Sequence, residues 1–183
     1  MKKIMILGVS FCVAVALLIG YINFGHESKH VIDSAKLPYF NNANDVINNS
    51  ELIVEVSKIG EKPVSYDLGE GLYDNLTLSN VKIEKVIKPL KGKKLDVGDE
   101  IWIVESEWTD KETGVIHHTE NYSKMTDNKK YRLYLGYNSE VDNYYPVGLL
   151  YGKVPMNTME KNYYGDFKND HIKGVVEELQ KNP

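Results

Sequence analysis

The sequence predicts a mainly β fold: a small five-stranded antiparallel barrel of the oligonucleotide/oligosaccharide-binding (OB-like) type with short flanking helices, preceded by one N-terminal transmembrane helix. Three observations lead there. The chain carries several short runs of alternating apolar and polar residues separated by turn residues, one amphipathic helical stretch near its C-terminus, and an uninterrupted apolar segment at its start. They divide the 183 residues into an anchor (1–24), a linker (25–42) and an extracytoplasmic barrel domain with a C-terminal helix (43–183). The last part has the size of a single domain.

The anchor, Ile4 to Phe24, contains no charged residue, and its 21 residues match the length a helix needs to cross the hydrocarbon core. Lys2 and Lys3 precede it, which places the N-terminus in the cytoplasm and the remainder outside. Two processing routes compete with a signal-anchor: cleavage after the small-residue site Ala14-Val15-Ala16, and lipid attachment at Cys12, where Phe11 occupies the position that needs a small residue. All three routes leave the domain outside the cytoplasm. The linker, Gly25 to Asn42, is polar and patternless and reads as a short stalk.

Asn44 or Asp45 is placed to cap a short helix running through Asn48 and Asn49. Leu52, Val54 and Val56 then share one face of a first strand, Leu52–Ile59. In a second strand, Asn75–Lys88, Leu76 and Leu78 fall on one parity and Val81 and Ile83 on the other, so a bulge is expected near Ser79 or Asn80. Pro89-Leu90-Lys91-Gly92 and Val97-Gly98-Asp99 are turns, and Ile101–Glu105 is a third strand. Asp110–Gly114 reads as a hairpin tip between Trp108 and Val115. The fourth strand, Lys130–Tyr137, alternates cleanly, with Tyr131, Leu133, Leu135 and Tyr137 inward and Arg132 on the exposed face. A fifth is expected over about Val147–Val154. Ile172, Val175, Val176 and Leu179 recur at helical spacing and make Asp170–Gln180 an amphipathic helix.

Hydrophobic residues at 42% and charged residues at 26% are ordinary for a globular chain. The formal net charge is −4, and −6 once Lys2 and Lys3 are set aside, a balance that disfavours nucleic acid as a partner. Cys12 is the single cysteine, so no disulfide within one chain can support the domain and its apolar core must do so.

Ser50 to Val56, Val81 to Gly92, Val97 to Ile101 and Lys129 to Leu135 together resemble small exported or membrane-anchored proteins of Gram-positive bacteria, mostly uncharacterised, with a barrel similar to netrin-like and tissue-inhibitor modules. The resemblance covers about Asn44 to Val154 and implies a fold, not a reaction. The chain lacks the disulfide cysteines and the N-terminal metal-binding cysteine of the animal modules, so an inhibitor function does not carry over.

No nucleophile elbow, phosphate-cradling loop, metalloprotease helix or calcium loop occurs, and no catalytic residue or cofactor is assigned. His117, His118 and Glu120 are the one compact set of possible metal ligands, but adjacent strand histidines point to opposite faces, so no metal site is expected. Glu105 and Glu107 read as solvated charge on the outer sheet. An aromatic surface built from Trp102, Trp108, Tyr134, Tyr144 and Tyr145, with Tyr151, is the candidate binding site. Besides the membrane, reached through residues 4–24, the expected partner is a cell-envelope protein, peptide or glycan. The leading function is an interaction module. A structural envelope component is the alternative, and a hydrolytic enzyme or an enzyme inhibitor comes after it.

Overall fold

The structure, a computed structural model, describes residues 29–33, 37–156 and 170–181. The anchor expected over residues 4–24 lies outside them. Among the described residues no helix is long and apolar enough to cross a membrane.

Nine strands and two helices are found among the described residues. Five strands close a barrel: β2 (Leu52–Gly69), β3 (Leu72–Lys88), β4 (Glu100–Glu105), β7 (Lys130–Asn138) and β8 (Asn143–Pro146). Their order is β2-β3-β4-β8-β7, with β7 returning to pair β2 from Leu52↔Leu135 to Ser57↔Lys130. The barrel is not wholly antiparallel as expected, because β4 and β8 run parallel at Ile103↔Tyr144. A separate three-stranded sheet joins β1 (His30–Asp33), β6 (Ile116–Thr119) and β5 (Glu107–Thr109). β1 lies in the stretch read from sequence as a patternless stalk. It pairs in parallel with β6 from His30↔Ile116 to Asp33↔Thr119, a pairing that no local pattern in the stalk announces.

Two cores hold these layers. The barrel interior takes the inward parity of each strand: Leu52, Val54 and Val56, then Val81 and Ile83, Ile101 and Ile103, and Tyr131, Leu133 and Leu135. A second core lies outside the barrel wall, where Ile53, Tyr134 and Val154 meet α1 (Ala43–Asn49) and α2 (Asp170–Lys181) through Val46, Ile172, Val175, Val176 and Leu179. The helical stripe of α2 therefore covers the outer face of β7. Arg132, expected to be exposed, is 9% exposed beneath that helix and pairs with Glu55 at 2.8 Å. Burial pushes its pKa down, but the hydrogen bonds and charges of Glu55 and Tyr134 together outweigh this and leave it above its ordinary value. The cap of α1 is Asn42, whose side chain accepts from the Asp45 N–H, while Asp45 itself lies in the first turn and accepts from the Asn41 N–H at 2.9 Å.

Two further expectations are corrected. No bulge interrupts Ser79 or Asn80. The irregularities fall at Ile59 and Leu68 in β2 and at Glu84 and Ile87 in β3, and Thr77, Ser79, Val81 and Ile83 keep one inward parity, with Leu76 and Leu78 on the outer wall. The fifth strand is also not Val147–Val154. The β7 edge is served by β8 and β9 (Lys153–Pro155), and residues 147–152 leave the sheet between them. Tyr134 binds both ends of that excursion, donating its N–H to the Gly152 carbonyl and accepting from the Val147 N–H, each at 2.8 Å. The excursion carries Val147, Leu150 and Tyr151 into the second core, which is why its apolar residues resemble a strand. A methyl group on Gly152 would overlap the Val147 backbone nitrogen and the Tyr134 carbonyl oxygen. Gly152→Ala is expected to cost about 1–3 kcal/mol in a urea melt through backbone displacement. Gly174→Ala, in open space on α2, is expected to be neutral or stabilising.

Candidate functional site

The outward parity of β2, β3, β4 and β8 forms one wall. Its rows are set by register: Val64 beside Leu76, then Lys62, Leu78 and Val104, then Gly60, Asn80 and Trp102. Trp102 lies under the Lys62 ammonium, 4.2 Å from the ring centroid. On neighbouring β8, Tyr145 stays 46% exposed and lays its ring over Gly136, where any Cβ would collide with it. Trp108 sits on the separate sheet, stacked on His117 with centroids 4.2 Å apart. The other aromatics are interior. Tyr144 is 1% exposed inside the barrel, and Tyr134 lies under α2 with its hydroxyl donating to the Leu179 carbonyl at 3.4 Å. Tyr151 meets Phe40 edge-on in the second core. Two of the five aromatic candidates, Tyr134 and Tyr144, thus offer no surface to a ligand, while Trp102, Trp108 and Tyr145 remain partly accessible.

Beyond the row of Val64 and Leu76, β2 and β3 pair only with each other among the described residues, from Ser65↔Asn75 to Gly69↔Leu72. At the sheet's rise per residue this two-stranded arm extends roughly 15 Å. It turns through Gly69, Glu70 and Gly71, all at positive φ, the conformation a tight hairpin requires. Leu68, Leu72 and Tyr73 near the turn are 66%, 62% and 59% exposed. The sequence pointed to none of these, because the alternation read from it ends at Ile59 and resumes at Asn75, and only the pairing carries both strands out to Gly69 and Leu72 with no other described strand beside them.

One end of the barrel is closed by polar groups. Glu105 continues the inward parity of Ile101 and Ile103 and is fully buried, not solvated on the outer sheet as expected. Its Oε1 accepts from the Ser79 hydroxyl and the Met125 N–H, each at 2.9 Å, and its Oε2 accepts from the Tyr122 hydroxyl and pairs with Lys153 Nζ at 2.9 Å. Lys153, 1% exposed, also donates to the Ser123 carbonyl and sits over the Tyr122 ring, 3.8 Å from its centroid. Burial lowers the Lys153 pKa even against the pull of Glu105. Glu107, on β5, is separated from this group and accepts from the Lys124 N–H at 3.2 Å.

A second group ties segment 119–129 to β2. Lys58 donates to the Met125 carbonyl at 2.7 Å and pairs with Glu61 and, at 3.1 Å, with Asp127, while Lys124 pairs with Glu61 at 2.6 Å. Burial pushes the Glu61 carboxyl up, but hydrogen bonds from Lys124 and Lys58 outweigh it and hold its pKa below the ordinary 4.5. A depressed carboxyl contributes stability that is present above 4.5 and is lost as pH falls through its folded-state value. Amide exchange over residues 124–128, corrected for intrinsic rate, is therefore expected to quicken in that acid window before exchange at Leu133 does.

His117 lies 3.9 Å from Asp33, and His118 meets His30 edge-on, a neighbour that the separation in sequence did not suggest. No group of three or more His, Cys, Asp or Glu among the described residues is arranged to hold a metal. A pocket of about 100 Å³ opens between β9 and α2, lined by Arg132, Val154, Pro155, Met156 and Gln180. That volume is below the several hundred Å³ usual for small-molecule sites. Comparison with protein-family models, curated proteins and solved structures returned no match.

Proposed function

We propose that this chain is a membrane-anchored interaction module that docks a cell-envelope component through the β2–β3 arm and the adjoining outer wall. Residues 4–24 would hold it in the membrane, with the N-terminus cytoplasmic and the barrel outside. The observation that carries the reading is the arm itself: three large apolar side chains are exposed on a two-stranded ribbon that no other strand or helix among the described residues pairs with or covers. Such exposure forfeits burial free energy in the free protein and is recovered when a partner covers it. The arm is also the loop between the first two barrel strands, one of the loops through which barrels of the OB-like type bind. A purely structural envelope role has no use for this exposed tip.

Topology and docking are tested separately. Protease added to intact cells is expected to remove residues 25–183 and to spare a tag at the N-terminus. A protected C-terminus would defeat the proposed orientation. For docking, a photoreactive benzoylphenylalanine is placed at Tyr73, Tyr145 or Val97 of the full-length protein in intact cells. An adduct from at least one position is expected, and its absence from all three rejects the module.

A further inference from the structure

We infer that the arm tip docks another protein at an apolar site rimmed by Lys or Arg, an inference that rests on the docking role proposed above. The tip is apolar and acidic at once. Between Pro63 and Val81 the chain carries Asp67, Glu70 and Asp74 and not one Lys or Arg. None of these three carboxylates has an ion-pair partner among the described residues; Asp67 accepts only from the Gly69 N–H, at 2.8 Å.

Elsewhere in the domain, several acids lie within ion-pair distance of a cation. Glu55 has Arg132, Glu61 has Lys58 and Lys124, Glu105 has Lys153, and Asp142 has Lys93. Negative charge is therefore left uncompensated where apolar surface is left uncovered. A partner that buries Leu68, Leu72 and Tyr73 must also supply cations to the carboxylates that come with them, because desolvating unpaired charge is costly.

The same charges argue against the other occupants. A second copy of this chain docking tip to tip would bring three further carboxylates to the same contact, which is repulsive. A membrane surface rich in anionic lipid repels the tip, and inserting Leu68 and Leu72 would drag Glu70, at the apex of the turn, toward hydrocarbon. A neutral glycan offers no cation, and an anionic envelope polymer carries the wrong sign.

The test uses the full-length membrane-anchored protein in intact cells, with benzoylphenylalanine at Tyr73 as the probe. The expected result is an adduct with a different protein, cross-linked at a site that mass spectrometry shows to carry Lys or Arg. Reversing the tip charges (D67K, E70K and D74K together) is expected to lower its yield about tenfold or more, as like-charge juxtaposition at an interface costs well over the 1.4 kcal/mol that tenfold represents. Neutralising them (D67N, E70Q and D74N) should give an intermediate loss, and Leu68→Ser with Leu72→Ser a loss with charge intact. Thermal melts of each variant show whether the barrel is preserved.

An adduct with lipid alone, with a second copy, or with a protein site lacking Lys and Arg overturns the inference. So does a yield unmoved by charge reversal. Adducts from Tyr145 or Val97 with none from Tyr73 would reject the tip while leaving the interaction module standing; no adduct from any position removes both.

Discussion

Lys153→Met is expected to destabilise the domain by about 3–5 kcal/mol, the cost of leaving one partner of a buried ion pair without the other. Glu105 would remain fully buried, its charge met only by the Ser79 and Tyr122 hydroxyls and the Met125 N–H. If the loss comes from the stranded carboxylate, removing its charge should restore part of it. Adding Glu105→Gln to Lys153→Met keeps an oxygen acceptor for the Ser79 hydroxyl and the Met125 N–H and offers an amide N–H to the Tyr122 hydroxyl oxygen, and a double-mutant cycle in urea is expected to show a coupling of about 0.5–3 kcal/mol. A cost under about 1 kcal/mol for Lys153→Met would mean that water reaches the cluster. The alkaline limb gives an independent reading. Burial holds the folded-state pKa of Lys153 below 10.5, so the folded protein releases that proton before the unfolded chain does. Stability of the native protein relative to Lys153→Met should therefore rise with pH across the window that ends at 10.5.

Leu133→Ala is expected to cost about 2–5 kcal/mol, because Leu133 has no exposed surface and lies at the centre of the barrel interior between β2 and β9. Arg132→Ala, one residue away on the outer face, would cost almost nothing if that face met solvent. Because α2 covers it, the expected loss is about 1.5–3 kcal/mol, the range for a hydrogen-bonded charged group. Arg132 holds Glu55 and donates to the Leu179 carbonyl at 3.4 Å, at the C-terminal end of α2 where a cation suits the helix dipole. Urea midpoints of the two variants check both values. A change within about 0.5 kcal/mol for Arg132→Ala would mean that α2 does not stay on β7 in solution.

Much of the barrel was legible because period-two alternation is a local signal. Leu52, Val54 and Val56, or Tyr131, Leu133 and Leu135, declare an inward face without reference to any partner. The same alternation already contained the interior position of Glu105, since it continues the parity of Ile101 and Ile103. Its charge suggested solvent and overrode the pattern. The candidate site was less legible. Trp102 and Tyr145 are on the outer wall, but Tyr134 and Tyr144 show that an aromatic's residue type does not tell which wall it faces or what covers it.

By itself the sequence determined the β-rich class, the inward apolar residues of β2, β4 and β7, the turns at Gly92 and Gly98, and the amphipathic stripe of α2, each of which depends on residues a few positions apart. The tertiary structure alone decided the rest. The parallel β4–β8 contact, the β1–β6 pairing, the excursion at 147–152, the cover of α2 over Arg132 and the bare arm tip at Leu68, Leu72 and Tyr73 all depend on segments distant in the chain. Burial and charge pairing are properties of such neighbours, and residues that meet only after the barrel closes leave no periodic trace of one another in the chain.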